Sequence, residues 1–343
     1  MVLQRAPHRA IVWGFGDPNT TTTLTMNDKI YTTMSRSELD NAQNESIWSV
    51  ILDPVSDEGP FDIHVSQPLA NGTLVTITLY DVLFGDVWIC SGQSNMELTV
   101  SLIYNGTEEI ANAGNYPKIR VFTAGRGLSD IPVEELHRVL LNWSIASAHS
   151  IGGPDWYYMS AVCWLYGRMI HEALGGRPIG LIATSWGGTP IEVWMPPKAL
   201  QDCNIPSYVY NNIEFCFHLF SLILYRNGTI PIVSLNDSSL FNAMIHPFTR
   251  MVIYGVIWYQ GKLIEYRYMI VIILIGEANV GYHTDTYACA FAKMIQYWRQ
   301  IWNNRTNGIT DIQYPFGFVQ VSSTGNHSEF HSIFIVSNTC QQY

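Results

Sequence analysis

The run Asp86-Val87-Trp88-Ile89-Cys90-Ser91-Gly92-Gln93-Ser94-Asn95-Met96 passes within a few residues from a short apolar strand to a turn of small polar residues. A serine on a tight, glycine-containing turn after a strand can act as a nucleophile where a base and N–H donors lie nearby. Ser94 occupies that position and is the candidate catalytic residue. The other interpretation of Ser94 is a helix N-cap, a common role for serine.

Two further apolar strands end in similar turns. Ile179–Thr184 leads into Ser185-Trp186-Gly187-Gly188-Thr189-Pro190, and Gly255–Tyr259 leads into Gln260-Gly261. Ligands bind beyond the carboxyl ends of the strands in parallel sheets, so the three turns predict one site. The glycine N–H groups and the glutamine amide are candidate donors to an oxyanion, with a plain turn and a polar strand end as the other interpretations.

Helical periodicity separates these strands. Apolar residues recur at helical spacing over Met159–Leu174, which Gly175-Gly176-Arg177-Pro178 ends, and again over Thr284–Trp302. Phe316–Val321 is predicted to be the last strand. Apolar strands that alternate with helices indicate an α/β fold with a parallel sheet buried on both faces.

Composition narrows the classes of partner. The chain is 48% hydrophobic and 13% charged with a formal net charge of −10, whereas ordinary soluble domains are roughly 25% charged. The acidic balance argues against a nucleic-acid partner, and no apolar run approaches the roughly 18 residues of a membrane span. We predict no metal and no other cofactor, because neither a zinc-type Cys/His spacing nor a phosphate-binding glycine loop occurs.

Asparagine sequons indicate the compartment. Nine Asn-x-Ser/Thr sequons occur, at Asn19, Asn44, Asn71, Asn105, Asn142, Asn227, Asn236, Asn304 and Asn326. Composition alone would give about three, so the excess favours a glycoprotein of the secretory route, either lysosomal or secreted. The six cysteines permit disulfides, and their pairing is open. No signal peptide is recognisable, so we expect the natural N-terminus to lie upstream.

The nucleophile run resembles a block of the sialate O-acetylesterase family of SGNH hydrolases. Gly180–Trp194, Asn242–Pro247 and Val256–Gly261 are similar to further blocks of that family in the same order, and Met1–Gly16 resembles its N-terminal segment. The resemblance covers most of residues 1–323. It implies a three-layer α/β/α fold, preceded by a β-rich segment, that removes O-acetyl groups from sialic acids through an acetyl-enzyme.

The resemblance also implies roles for single residues. Ser94 corresponds to the nucleophile, Gly187 or Gly188 to the backbone oxyanion donor, and Gln260 to the side-chain donor. We further predict two substrate-binding residues, His246 and Glu277, with a core histidine as the other interpretation of His246.

The sequence departs from the family pattern in places. Residues 262–276 intervene before Glu277 and are predicted to be an insert, either a translated intron or a lineage-specific loop. The family's general-base histidine lies in an Asp-x-x-His block, and that pattern is absent from the sequence, where His327 and His331 are the late histidines. Glu134-Glu135-Leu136-His137 has carboxylate–histidine spacing, but we interpret it as a solvated helix face.

These observations predict three segments. They are a β-rich segment over residues 1–80, an α/β catalytic domain over 81–323 and a tail outside the family pattern over 324–343. Three functions stay open: a hydrolase of O-acetylated sialic acid, an acetylesterase acting on other glycans, and a non-catalytic carbohydrate-binding relative that lacks the Asp–His block.

Overall fold

The computed structural model describes residues 1–37, 45–69, 71–207, 209–210, 234–260, 279, 285–321 and 332–337. Several sequence predictions lie outside the described residues, namely the insert 262–276, Glu277, His327 and His331.

The described strands and helices follow one another in the order of the chain. The strands are β1 Val2–Gln4, β2 Ile11–Phe15, β3 Thr21–Met26, β4 Lys29–Met34, β5 Arg36–Ser37, β6 Ser46–Ile51, β7 Phe61–Pro68, β8 Leu74–Gly92, β9 Ile119–Ala124, β10 Val139–Ile145, β11 Ile179–Ser185, β12 Val209–Tyr210, β13 Leu235–Asn236, β14 Gly255–Tyr259, β15 Phe316–Val321 and β16 Ser332–Ser337. The α-helices are α1 Ser94–Glu97, α2 Gly106–Asn112, α3 Ala148–Ile151, α4 Ala161–Ala173, α5 Pro197–Asp202 and α6 Tyr287–Arg305. Short helical turns cover Val100–Leu102, Ala113–Asn115, Ile191–Trp194, Phe241–Ile245 and His246–Phe248.

The central sheet has the strand order β10-β9-β11-β8-β14-β15-β16. The five strands from β9 to β15 pair in parallel, which confirms the predicted parallel sheet. The two edge strands β10 and β16 are antiparallel to their neighbours. The backbone of β16 belongs to the tail predicted at residues 324–343, so part of that tail extends the sheet.

Helices cover both faces of this sheet. Ile89 of β8 packs in a core that includes Trp298 of α6. The next residue, Cys90, packs in the opposite core with Trp164 of α4. Alternate residues of one strand therefore meet helices on opposite sides, which confirms the three-layer α/β/α arrangement. None of the helices in the described ranges has the length and apolar character needed to cross a membrane.

Within the described residues, one disulfide joins a helix to the central sheet and another joins two helical segments. Cys90 of β8 is bonded to Cys163 of α4, and Cys203 beside α5 is bonded to Cys289 of α6. The bonds close loops with sequence separations of 73 and 86 residues. A chain-entropy estimate gives about 4.5 kcal/mol of stabilisation for each bond.

The helix boundaries differ slightly from the predicted ones. Helix α4 begins after Ser160, whose hydroxyl accepts a hydrogen bond from the Cys163 N–H at 3.2 Å. Helix α6 continues to Arg305, one turn beyond the end of its apolar pattern. Gly308 ends that extra turn, with a φ of +79° and an N–H that donates to the Asn303 carbonyl at 2.7 Å.

The N-terminal segment shares a strand with the α/β part. The first half of β8 pairs antiparallel with β7, and its second half pairs in parallel with β1, β11 and β14. Asp81, with a φ of +53°, lies between the two halves. The division predicted between residues 80 and 81 therefore falls inside one continuous strand.

Candidate active site

Ser94 is the first residue of α1, directly after β8, at the carboxyl edge of the sheet. Its side chain is buried. Its Oγ atom has no hydrogen-bond partner within the part of the chain that the structure describes. A buried hydroxyl without a partner is costly in a purely structural position, so this atom is a candidate for chemistry.

Backbone hydrogen bonds join the nucleophile turn to the two neighbouring strand ends. The Gln93 N–H donates to the Tyr259 carbonyl at 3.1 Å, and the Trp186 N–H donates to the Gly92 carbonyl at 3.1 Å. Gly92 has a φ of +145°, and a Cβ atom there would overlap the Tyr259 carbonyl. The three turns that the sequence marks therefore meet at one edge of the sheet, as predicted.

The Gly187–Gly188 turn lies against Ser94. A Cβ atom built on Gly187 would be 2.8 Å from Glu97 Oε2 and 3.1 Å from the Ser94 Cβ atom, so a larger residue would displace these side chains and glycine suits the close approach. The Gly187 N–H donates to Glu97 Oε2 at 2.8 Å. An oxyanion formed at Ser94 would compete with Glu97 for that donor. Gly188 has a φ of +75°, a conformation that also favours glycine.

Glu97 is itself held by an arginine. Arg126 donates from Nε and Nη2 to Glu97 Oε1 at 3.0 and 2.6 Å. The Arg126 guanidinium also lies 5.4 Å from the centre of the Trp186 ring, within the range of a cation–π contact. An ion pair and an indole therefore border the turn that carries Ser94. Neither Glu97 nor Arg126 is a predicted site residue.

The side chain of Gln260 is fixed from several directions. Its Nε2 donates to Asn279 Oδ1 at 3.0 Å and reaches the Thr189 carbonyl at 3.4 Å. Its Oε1 accepts from the Tyr287 hydroxyl at 3.0 Å. Asn279 also donates to the fully buried carboxylate of Glu192, at 3.0 and 2.8 Å to the two oxygens. The predicted side-chain donor is thus part of a buried polar network.

His246 belongs to a different cluster. Its Nδ1 lies 2.8 Å from the Val133 carbonyl, and Arg305 Nη1 lies 2.6 Å from its Nε2. These partners assign the proton to Nδ1, because the arginine can only donate. The described hydrogen bonds of His246 do not join it to Ser94 or to the glycine turn. A role in binding substrate stays a prediction.

The interpretation of Glu134 as part of a solvated helix face is wrong. Glu134 is buried outside any helix. It accepts hydrogen bonds from Arg250 at 2.8 Å and from Arg305 at 2.6 Å. Although burial raises the pKa of the Glu134 carboxyl, these two arginines hold it below its usual range. Two partners from distant parts of the chain offset the cost of burying the carboxylate, which sequence spacing could not reveal.

The protonation of His246 makes stability depend on pH. Burial, together with the Arg305 guanidinium, lowers the pKa of His246 from 6.5 to about 4. The unfolded chain binds more protons between these values, so the contribution of His246 is complete above pH 6.5 and is lost as the pH falls towards 4. We expect a loss of about 2 kcal/mol in the free energy of unfolding between pH 7 and pH 5.

Urea unfolding of the wild type and of His246→Gln at both pH values measures this effect. Glutamine keeps a donor for Val133 and an acceptor for Arg305 but does not titrate, so the variant should lose less stability on acidification. Equal losses in the two proteins would show that other groups carry the pH dependence.

Some expected parts of a catalytic site are not brought together. The described hydrogen bonds do not connect Ser94 to a histidine, and the predicted Glu277 lies outside the described residues. Sequence reasoning missed Glu97, Arg126, Glu192 and Asn279. Of these four residues, only Glu192 could have been recognised from the sequence, since a carboxylate within the apolar stretch Ile191–Trp194 requires a buried partner.

Comparison with known proteins agrees with this arrangement. The chain is 39% identical to the sialate O-acetylesterases of Homo sapiens and Mus musculus, over 94% of its own length. It spans 55% and 58% of those two proteins, a little over half of each. A carbohydrate acetylesterase from Xanthomonas citri matches the structure with a TM-score of 0.65 and 26% identity, over 92% of this chain and 57% of that one.

No protein-family model matches the chain. Over 94% of its length the chain is similar to the sialate O-acetylesterases, at 38–39% identity.

Proposed function

We propose that the protein is a carboxylic-ester hydrolase that removes O-acetyl groups from sialic acids, with Ser94 as the nucleophile. One observation carries the proposal: the buried Ser94 hydroxyl, the Gly187–Gly188 turn and the Gln260 amide share one edge of the sheet. The names of the relatives, sialate O-acetylesterase and carbohydrate acetylesterase, support an acetylated sugar as substrate.

The proposed reaction has two steps. Ser94 Oγ attacks the acetyl carbonyl carbon and gives its proton to a base, while the carbonyl oxygen becomes an oxyanion that N–H donors at Gly187 or Gly188 and Gln260 stabilise. The tetrahedral intermediate then collapses, and the sugar oxygen leaves with a proton. Water hydrolyses the acetyl-enzyme to acetate and restores Ser94.

One observation favours a second candidate, a non-catalytic carbohydrate-binding protein. Ser94 Oγ has no hydrogen-bond partner among the described residues, and a serine without a base retains only the rate that binding and the oxyanion donors supply. Such a protein would keep the site and its affinity for sugars but release no acetate.

Acetate release distinguishes these functions. The protein is incubated with O-acetylated N-acetylneuraminic acid and, separately, with acetylated xylo-oligosaccharides, and its sugar binding is measured by calorimetry. Faster release from the sialic acid supports the proposal, and faster release from the xylo-oligosaccharides indicates an esterase of other glycans. Binding without acetate release indicates the non-catalytic protein.

We also propose that the protein is a glycoprotein of the secretory route, lysosomal or secreted. The six sequon asparagines within the described residues are all exposed: Asn19, Asn71, Asn105, Asn142, Asn236 and Asn304. Two disulfides also suit an oxidising compartment. Expression in mammalian cells followed by peptide mapping with an endoglycosidase tests this, and unmodified asparagines at all six positions would contradict it.

A further inference from the structure

Three buried side chains form a chain of hydrogen bonds behind the candidate oxyanion donor. Gln260, Asn279 and Glu192 are each at most 6% exposed. Asn279 lies between the other two, because its Oδ1 accepts from Gln260 at 3.0 Å and its Nδ2 donates to Glu192 at 2.8 Å. The same Oδ1 accepts from the Ile191 N–H at 2.9 Å. Asn279 thus links Gln260 to the segment that follows the Gly187–Gly188 turn.

The chemistry of these groups fixes the direction of each amide. A backbone N–H only donates, so the Ile191 N–H fixes which atom of the Asn279 amide is the oxygen. Asn279 must therefore turn its NH₂ group to Glu192 and its oxygen to Ile191 and Gln260. Gln260 must then present its NH₂ group to Asn279 and its oxygen to the Tyr287 hydroxyl, 3.0 Å away.

One N–H of Gln260 remains for the reaction. The first N–H is held by Asn279 at 3.0 Å. The second reaches the Thr189 carbonyl at 3.4 Å, which is longer than a normal N–H···O bond. This N–H is held only weakly, so it can form a hydrogen bond with an oxyanion at small cost. A flipped Gln260 amide would offer its oxygen instead and would repel the developing negative charge.

We propose that Glu192 and Asn279 are positioning residues that keep the NH₂ group of Gln260 directed towards the oxyanion. This inference rests on the proposed function of the same site. Neither residue needs to touch the substrate, since Glu192 acts on Gln260 through Asn279.

Two variants test the hydrogen-bond chain. Asn279→Asp places a second carboxylate against Glu192 and removes the donor between them. Repulsion then pushes the new carboxylate away from Glu192 and out of its contact with Gln260, which breaks the chain. Adding Glu192→Gln restores the chain with donor and acceptor exchanged. The glutamine amide at position 192 then donates to the aspartate at position 279, which also accepts from the Ile191 N–H and from Gln260. We expect kcat for acetate release to fall roughly 100-fold in the single variant with little change in KM, as for loss of an oxyanion donor. The kcat of the double variant should be roughly 10-fold higher than that of the single variant.

Gln67→Glu is the matched control. It makes the same amide-to-carboxylate change in the N-terminal sheet, where the buried Gln67 donates to Thr22 and Ser35 at 2.8 Å. The folded fraction of this variant should keep the wild-type kcat. An equal fall of kcat in Gln67→Glu and Asn279→Asp, or no recovery in the double variant, would overturn the proposal.

A measurement without turnover separates this inference from the proposed function. The side-chain amide protons of Gln260, identified by their loss in Gln260→Glu, are followed by NMR. They should shift and exchange faster in Asn279→Asp and return towards wild type in the double variant. If the wild type releases no acetate, the proposed function fails. The NMR signals of Gln260 still test whether Glu192 and Asn279 position its amide. Unchanged Gln260 signals in Asn279→Asp would refute the positioning role.

Discussion

Ser94→Ala is expected to reduce acetate release from O-acetylated sialic acid by roughly 10⁴-fold or more, since losing a nucleophile removes the covalent route. The alanine also deletes the buried hydroxyl that lacks a partner among the described residues. The fold should therefore be kept, and the free energy of unfolding should change little. Calorimetry should show unchanged affinity for the sugar, so the defect would appear in kcat.

Ser91→Ala is the matched control for this change. Ser91 lies in the same strand end, is fully buried, and donates from Oγ to the Thr184 carbonyl at 2.7 Å. Its loss should lower the free energy of unfolding by about 1 kcal/mol, while acetate release per folded molecule stays unchanged.

Mass spectrometry of rapidly quenched reactions gives a second measurement. An acetyl group should be found on the peptide that contains Ser94, and it should be absent from Ser94→Ala. Acetate release that persists in Ser94→Ala, or an acetyl group on another residue, would exclude Ser94 as the nucleophile.

The edge of the sheet that carries the site was predictable from sequence because local patterns encode it. Ile179–Thr184 and Gly255–Tyr259 are uninterrupted apolar stretches, and glycine or small polar residues follow each of them. The geometry of a parallel sheet then brings their carboxyl ends together without further information. The positions of Ser94, Gly187, Gly188 and Gln260 follow from that rule.

The contacts that orient these residues were not predictable, because they join residues far apart in the chain. Gly187 bonds with Glu97 across 90 positions, and Glu192 bonds with Asn279 across 87. No local pattern links such pairs. The sequence also misled at Glu134, which was interpreted as solvated although it is buried and accepts hydrogen bonds from two distant arginines.

Gly92→Ala is the stability change for which we expect the largest effect. The residue has a φ of +145°, which is strained for alanine, and the added methyl group would overlap the Tyr259 carbonyl. Strain of this kind costs up to about 3 kcal/mol before any overlap is counted. The free energy of unfolding should fall by at least that amount, and acetate release should be lost, because Gln93 and Ser94 follow directly.

Alanine substitutions at two other glycines distinguish the effect of backbone strain from the effect of overlap with the Tyr259 carbonyl. Gly72 has a φ of +79° and no atom within 4 Å of an added Cβ, whereas Gly114 has the same open space and no positive φ. Urea unfolding should show a loss of about 1 kcal/mol for Gly72→Ala and a slight gain for Gly114→Ala. Losses of equal size at Gly92 and Gly72 would mean that the contact with Tyr259 adds nothing. A clearly larger loss at Gly92 would show that close packing between β8 and β14 holds the nucleophile turn in place.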